Sequence, residues 1–278
     1  MSHSRFPTLA LSALLALGAI APPAAARSKG GDDDGGEAKK QTLVLDGELE
    51  RINWNDGDSF RIVKGKREGQ KARLVGYNTP ESYGPVHFWG EFNGWDIYHV
   101  HKAATDLAKS EPWECTSDGK ADGYGRILVT CPELRKRLVR EGLAHVYAYK
   151  DEPDPELIAL QLEAQNERRG MWAKGIPRGI VTSVHSMDEK EDDDDGKGPR
   201  TASYNRVCDT RTGKTYTLEH TAIYKPCDVF CYAGSCLVYV PFDSRYGAKK
   251  PECVKGDAGE QNRMDARPHL HQPFIPKD

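Results

Sequence analysis

The chain has 278 residues, with 39 lysines and arginines against 42 aspartates and glutamates, a formal net charge of -3. That length allows one or two domains and a sizeable core. The charge balance excludes a broadly basic surface for coating nucleic acid, so any polyanion must be held by a few placed arginines and a metal ion.

At the N-terminus, Arg5 precedes an apolar run from Leu9 to Ala21, and Ala24-Ala25-Ala26 follows. The run is too short to span a bilayer and is flanked by Pro22 and Pro23. It reads as a secretory signal over residues 1–26, cleaved after Ala26, which gives a secreted or periplasmic protein with no membrane attachment. Seven cysteines in an exported chain argue for disulfides, with the odd one free or paired between chains. Residues 27–41 are rich in glycine and charge and read as a linker. Asp32-Asp33-Asp34 lacks the spacing of a calcium loop and reads as solvated charge.

A domain is expected over 42–178. Leu43 to Ile52 alternates as a first strand around Gly47, and Phe60–Val63 is a second. Arg73-Leu74-Val75-Gly76-Tyr77 is a third, completing a meander, with Arg73, Val75 and Tyr77 on one face. Pro80 ends that strand and keeps Thr79 out of helical geometry, and Glu81 follows the turn. Asp56-Gly57-Asp58 is a turn entering the second strand. Ser82 to Asp96 reads as a loop whose Tyr83, Phe88, Trp89, Phe92 and Trp95 either stack bases or form a satellite cluster.

A helix is predicted from Asp96 to Ser110, with Ile97, Val100, Ala104, Leu107 and Ala108 on one face. His99 and His101 lie two apart, so they do not face each other, and both read as surface residues. Trp113–Cys115 and Arg126–Cys131 are the fourth and fifth strands, flanking the Ser117–Gly123 turn. Cys115 and Cys131 are placed for a cross-strand disulfide, the alternative being two buried thiols. Pro132 to Ala144 is helical. A further helix starts at Asp154-Pro155 and stops at Gly170, with Trp172 packing behind it. Residues 179–200 read as an acidic linker and 201–278 as a separate small module of unknown function. Its Cys208, Cys227, Cys231, Cys236 and Cys253 miss the CxxC spacing of zinc sites, which favours disulfides. His269 and His271 read as tail residues.

Five pieces stand in a recognisable order: Asp56-Gly57-Asp58, Arg73 with Thr79-Pro80-Glu81, Tyr124-Gly125-Arg126, Leu138–Ala144, and Gly170-Met171-Trp172. This set resembles the staphylococcal nuclease (thermonuclease) family over about residues 43–177. The resemblance implies an α+β fold, a five-stranded OB-fold barrel with three helices, here followed by the disulfide-rich module. It implies hydrolysis of DNA and RNA with calcium, leaving 3′-phosphate ends. In that pattern Arg73 and Arg126 neutralise the phosphate, and Glu81 is the general base or orients the attacking water. Asp58, Asn78 and the Thr79 carbonyl match the metal ligands, and Tyr124 matches a residue that hydrogen-bonds the nucleotide.

The residue types suit that chemistry. Each guanidinium offers a planar fork to two phosphate oxygens, and a hard cation takes oxygen ligands. Asn78 stands where the family has an aspartate. One formal charge is missing, so weaker calcium binding or another divalent ion is expected, with Asp56 placed to compensate. The competing readings are a nucleic-acid-binding barrel without catalysis and an extracellular adhesive protein. The presence of Arg73, Glu81 and Arg126 together favours the enzyme. No protein partner is implied.

Overall fold

The computed structural model describes residues 41–81, 86–189, 201–245 and 249–254. The expected signal peptide, the expected linker up to residue 40, Tyr83, residues 190–200 of the stretch expected as an acidic linker, and His269 and His271 lie outside the described residues. Among the described residues no helix is long and apolar enough to cross a membrane.

The chain opens with β1 (Thr42–Leu45), β2 (Glu48–Trp54), β3 (Ser59–Lys64) and β4 (Lys71–Leu74). β5 (Gly76–Asn78), β6 (His87–Trp89) and α1 (Gly94–Ala108) follow, then β7 (Glu114–Ala121), β8 (Ile127–Thr130) and α2 (Pro132–Arg140). A closed barrel runs β1-β2-β3-β4-β8-β7, sealed by parallel pairing of Val44 with Glu114. It has six strands, not five, because the expected first strand is a hairpin. Asp46 and Gly47 both take positive φ, 53° and 80°, the left-handed pair that a two-residue hairpin turn requires. Leu43, Leu45, Ile52, Phe60, Ile62 and Leu74 fill the interior and are almost fully buried. Cys115 and Cys131 form the expected disulfide.

α1 starts two residues earlier than predicted. Asn93 accepts from the Asp96 amide at 2.8 Å while Asp96 accepts from the Asn93 amide at 3.0 Å, closing a capping box. The predicted apolar face of α1 is buried. α3 (Pro155–Asn166) begins as expected, with the Asp154 carboxylate accepting from the Glu156 amide. Trp172 is fully buried.

The third predicted strand does not run straight. It breaks between β4 and β5 at Gly76, whose φ is +90°. Leu74 and Tyr77 are both buried although they lie three apart, so Arg73, Val75 and Tyr77 do not share a face. The break hands the chain from the barrel to a second sheet, because β5 pairs antiparallel with β9 (His145–Tyr149).

That second sheet also revises the expectation of a separate C-terminal module. β10 (Gly179–Ser183), β11 (Ser203–Asp209) and β12 (Lys214–His220) extend it in the order β10-β11-β12-β9-β5. β13 (Val229–Tyr232) and β14 (Ser235–Val238) form a third sheet with β6, inside the stretch read as a loop. Gln161 and Gln165 on α3 both donate to the Thr210 carbonyl, at 2.6 and 2.9 Å, and Gln161 accepts from the Val146 amide. The charge run at 188–195 suggests a boundary, but β10 and β11 on either side of it pair with each other, and β12 pairs with β9. The described residues all fall in one compact unit. Cys227–Cys253 and Cys231–Cys236 are disulfides, and Cys208 is a buried free thiol.

Phe88, Trp89 and Phe92 are buried in hydrophobic clusters. Of the two readings of that aromatic stretch, packing holds for these three. Trp95 is half-buried and stacks on Tyr98 at 5.4 Å.

Candidate active site

Asp58, Arg73, Asn78 and Thr79 meet at the point where β4 leaves the barrel. Arg73 Nη1 donates to Asp58 Oδ1, and Nη2 donates to Asn78 Oδ1. The other Asp58 oxygen accepts from the Thr79 amide at 2.7 Å and from the Thr79 hydroxyl at 3.1 Å. Asn78 Nδ2 donates to the Thr79 carbonyl at 3.1 Å. The break at Gly76 makes this possible, since strict alternation would put Arg73 and Asn78 on opposite faces.

Three supports behind this knot are not evident in the sequence. The Tyr77 hydroxyl donates to the Gly57 carbonyl at 2.9 Å and pins the Asp56–Asp58 turn. Gly57 itself has no room for a side chain, because a Cβ would meet Thr79 Cγ2 at 2.8 Å and Ala104 Cβ at 3.0 Å. His101, expected on the surface, is buried, with Nδ1 2.8 Å from the Pro80 carbonyl next to Glu81. The helical face of α1 carries it inward beside Ile97, Ala104 and Thr105. His99 is exposed, as expected.

The electrostatics show a surplus of negative charge. Burial, then Asp58, lifts the Glu81 carboxyl above its ordinary value, and Arg245, Arg73 and Arg126 partly offset this. Asp56 is held well above the usual carboxylate range by burial, Asp58 and Glu81. Burial opposes the charge of Arg73, but Asp58, Asp56 and Glu81 outweigh it and hold the guanidinium protonated.

Arg126 is placed differently. It lies half-exposed at the β7–β8 turn, where Nε and Nη2 both bond Asp122 Oδ2 at 2.7 and 2.6 Å. Its charge reaches Glu81, but its fork is held within its own turn. Tyr124 is 72% exposed, with Arg126 5.4 Å from its ring centroid, so it projects to solvent at the edge of the site. Asp56 acts chiefly as a turn residue, accepting from the Asp58 amide at 3.0 Å and the Ser59 hydroxyl at 2.8 Å.

Among the described residues no group of three His, Cys, Asp or Glu side chains is arranged to hold a metal ion. The candidate ligand set contains only one such residue, Asp58, with an amide oxygen and a backbone carbonyl. These are hard oxygen donors, and three acidic groups, Asp56, Asp58 and Glu81, act on one buried arginine. Both features fit a hard divalent cation.

Residues 71–174 match the family model described as "Staphylococcal nuclease homologue". A protein of Escherichia coli named "Uncharacterized endonuclease" is 31% identical over 130 residues, covering 44% of this chain and 74% of that protein. A second, from Escherichia coli O157:H7 and bearing the same name, is 30% identical over the same length and coverage. The chain belongs to the staphylococcal nuclease family. Its family region includes Arg73, Asn78, Thr79, Glu81, Tyr124 and Arg126, while Asp58 lies just upstream. Membership in this nuclease family accounts for an OB-like barrel with three helices. The strands after residue 174 lie outside the family match.

Proposed function

We propose that this protein is an exported nuclease that hydrolyses phosphodiester bonds in DNA, RNA or both, assisted by a divalent cation. The observation that carries this reading is the convergence of Asp58, Arg73, Asn78 and Thr79, with Glu81 under the influence of three guanidiniums. Export is supported by three disulfides, which persist in oxidising compartments.

In this reading Arg73 and Arg126 take the non-bridging oxygens of the scissile phosphate and neutralise the charge that grows on it. Arg73 turns from Asn78, and Arg126 from Asp122, to do so. Glu81 takes a proton from the attacking water. Its raised proton affinity brings it nearer to the pH at which it works, which improves a general base. Attack in line with the leaving 5′ oxygen leaves a 3′-phosphate. Asp58, Asn78 Oδ1 and the Thr79 carbonyl would hold the cation, calcium being the family's ion. When bound it supplies charge neutralisation and polarises water. Tyr124, exposed beside Arg126, would meet the substrate.

Purified protein incubated with plasmid and with RNA, with and without chelator, tests this. Cleavage that stops on chelation and is lost in Glu81→Ala and Arg126→Ala preparations is expected. Undiminished cleavage by both variants would trace the activity to a contaminant and end the reading.

A further inference from the structure

The family match stops at residue 174, yet the strands beyond it extend the sheet that carries Asn78. Asn78 stands opposite His145 in the β5–β9 ladder, and Tyr149 stands opposite Thr215 where β9 meets β12. Across β12, Thr217 is opposite Arg206 and Glu219 is opposite Tyr204, both on β11. Opposite residues, and alternate residues of one strand, share a face of a sheet. Asn78, His145, Tyr147, Tyr149, Arg206 and Tyr204 therefore lie on one face. Asn78 accepts from Arg73 at one end of this row. Tyr149 is four residues beyond His145, about 13 Å at the rise of a strand. His145 is buried, but Tyr147, Tyr149, Tyr204 and Arg206 are half-buried and Lys150 is exposed.

Positive charge gathers around Tyr149. The Arg206 guanidinium lies 5.1 Å from the Tyr149 ring centroid and 4.9 Å from that of Tyr204, and its Nη2 donates to the Tyr204 hydroxyl at 2.9 Å. Two rings thus hold one cation in place. Lys150 takes a left-handed φ of 66° and brings its Nζ to 5.3 Å from the same Tyr149 centroid. The cations of the site are bound to carboxylates, Arg73 to Asp58 and Arg126 to Asp122, and Lys214 nearby pairs with Glu152. Among the described residues Arg206 and Lys150 have no such partner, and Arg206 Nε is buried without a hydrogen bond. In a chain of net charge -3, two unpaired cations sharing one ring suit a polyanion. Glu219, exposed opposite Tyr204, would repel a phosphate and marks the far end of the row.

We infer that Arg206 and Lys150 form an exosite that holds backbone phosphates of the nucleic-acid strand beyond the scissile bond, with Tyr149 and Tyr204 fixing the guanidinium. Arg206 and Tyr204 lie outside the family match, so this contact belongs to the added strands. The inference rests on the nuclease reading above and deepens it, because substrates long enough to reach β11 are held more tightly than short ones.

The test uses the full chain with a fluorescent dinucleotide and a longer single-stranded DNA oligomer. Binding of the oligomer is followed by anisotropy across a salt series with chelator present, and cleavage of both substrates is followed with metal. For Arg206→Gln, KM on the longer oligomer is expected to rise about tenfold with kcat little changed, the effect of one lost charge-assisted contact. The rise should be confined to that substrate. The slope of log affinity against log salt should shrink by about 0.7 for Arg206→Gln, and by about 1.4 when Lys150→Gln is added. Arg206→Lys should keep the slope. A wild-type slope in the double variant, or an equal rise in KM on both substrates, would overturn the exosite. If Arg206→Gln does not fold, Lys150→Gln, at an exposed residue, decides by its own loss of about 0.7. A wild type that cleaves, loses activity in Glu81→Gln, and is indifferent to both charge changes leaves the nuclease reading intact and removes only this inference. A wild type that binds through Arg206 and Lys150 without cleaving removes the nuclease reading and keeps the phosphate contacts. A wild type that neither binds nor cleaves removes both.

Discussion

Arg73 on β4 and Arg126 in the turn just before the neighbouring β8 carry the same charge, but the molecule holds them in different ways. Arg73 is largely buried and is fixed by Asp58, fifteen residues upstream, and by Asn78 beyond the break between β4 and β5. The Tyr77–Gly57 and His101–Pro80 bonds lock the segments behind it. Arg126 is gripped by Asp122 four residues away, in a turn that also bonds its own amide to that carboxylate at 3.0 Å. One position is set by the tertiary fold, the other by a local turn. A buried pair is costly to break because the remaining charge has nowhere to go, whereas a half-exposed one is screened by water.

The sharpest way to break this comparison is to remove each guanidinium in turn. Arg73→Gln is expected to lower cleavage by about three orders of magnitude, and it strands Asp58, so stability should fall by roughly 3–5 kcal/mol. Arg126→Gln is expected to cost about 10²–10³ in kcat, with stability within about 0.5 kcal/mol of wild type. Denaturant melts beside cleavage rates separate the two, and equal destabilisation by both would erase the distinction. Glu81→Gln provides the opposite control. Its carboxyl is raised by burial and by Asp58, so ionised Glu81 weakens the fold at neutral pH, and stability returns as pH falls through its folded value. The glutamine variant should be inactive, by about 10²–10⁴, and at least as stable as wild type.

Much of this was legible before any coordinates. The barrel strands, the three helices, the Cys115–Cys131 pair and the Asp154 cap follow from alternation, spacing and capping chemistry. The candidate site residues follow from motif order. What could not be read was where the alternation breaks. A period-two reading carries Arg73 through to Tyr77 on one face, and nothing local marks Gly76 as the residue that resets it. The sequence did mark the β1–β2 hairpin, since Asp46-Gly47 is a turn signal, but the flanking alternation masked it. The C-terminal strands were misread for another reason. β12 joins β9 in parallel, pairing Lys214 with Ala148, and pairing between strands so distant in sequence leaves no local signature.

The second sheet that these strands complete is also open to test, through His145. It faces Asn78 across the β5–β9 ladder and is buried, with Nδ1 2.9 Å from the Val146 carbonyl. Burial pushes its pKa down to about 4. Above about pH 6.5 neither the folded nor the unfolded chain carries this proton. As pH falls from there toward 4, the unfolded chain takes up a proton that the fold refuses, so stability is lost in that window. The loss is up to about 3 kcal/mol from this one group. Chemical melts of wild type and His145→Gln across pH 7.5 to 4 should diverge by that amount, and parallel curves would show that the imidazole is solvated. A smaller effect is expected at the break between β4 and β5. Gly76→Ala forces a side chain into a left-handed conformation and should cost about 1–2 kcal/mol, with a loss of activity as Arg73 and Asn78 separate. Unchanged activity there would show that the bridge between them is not needed.

The smallest expected change concerns Asn78, and it bears on how the two arginines are used. Asn78 contributes an oxygen without a charge, and its Nδ2 donates to the Thr79 carbonyl, an oxygen that a cation would need. Asn78→Asp removes that donor, frees the carbonyl and adds a negative charge, all of which favour a divalent ion. It also tightens the pairing with Arg73, which then leaves less readily for a phosphate. Calcium affinity by calorimetry should therefore rise by roughly tenfold, a gain of about 1.4 kcal/mol, while kcat rises less or falls. The same titration with magnesium and manganese shows whether the amide selects among ions. Equal calcium affinity in the two proteins would mean that the asparagine does not weaken the site, and that Arg73 alone sets how easily a cation enters.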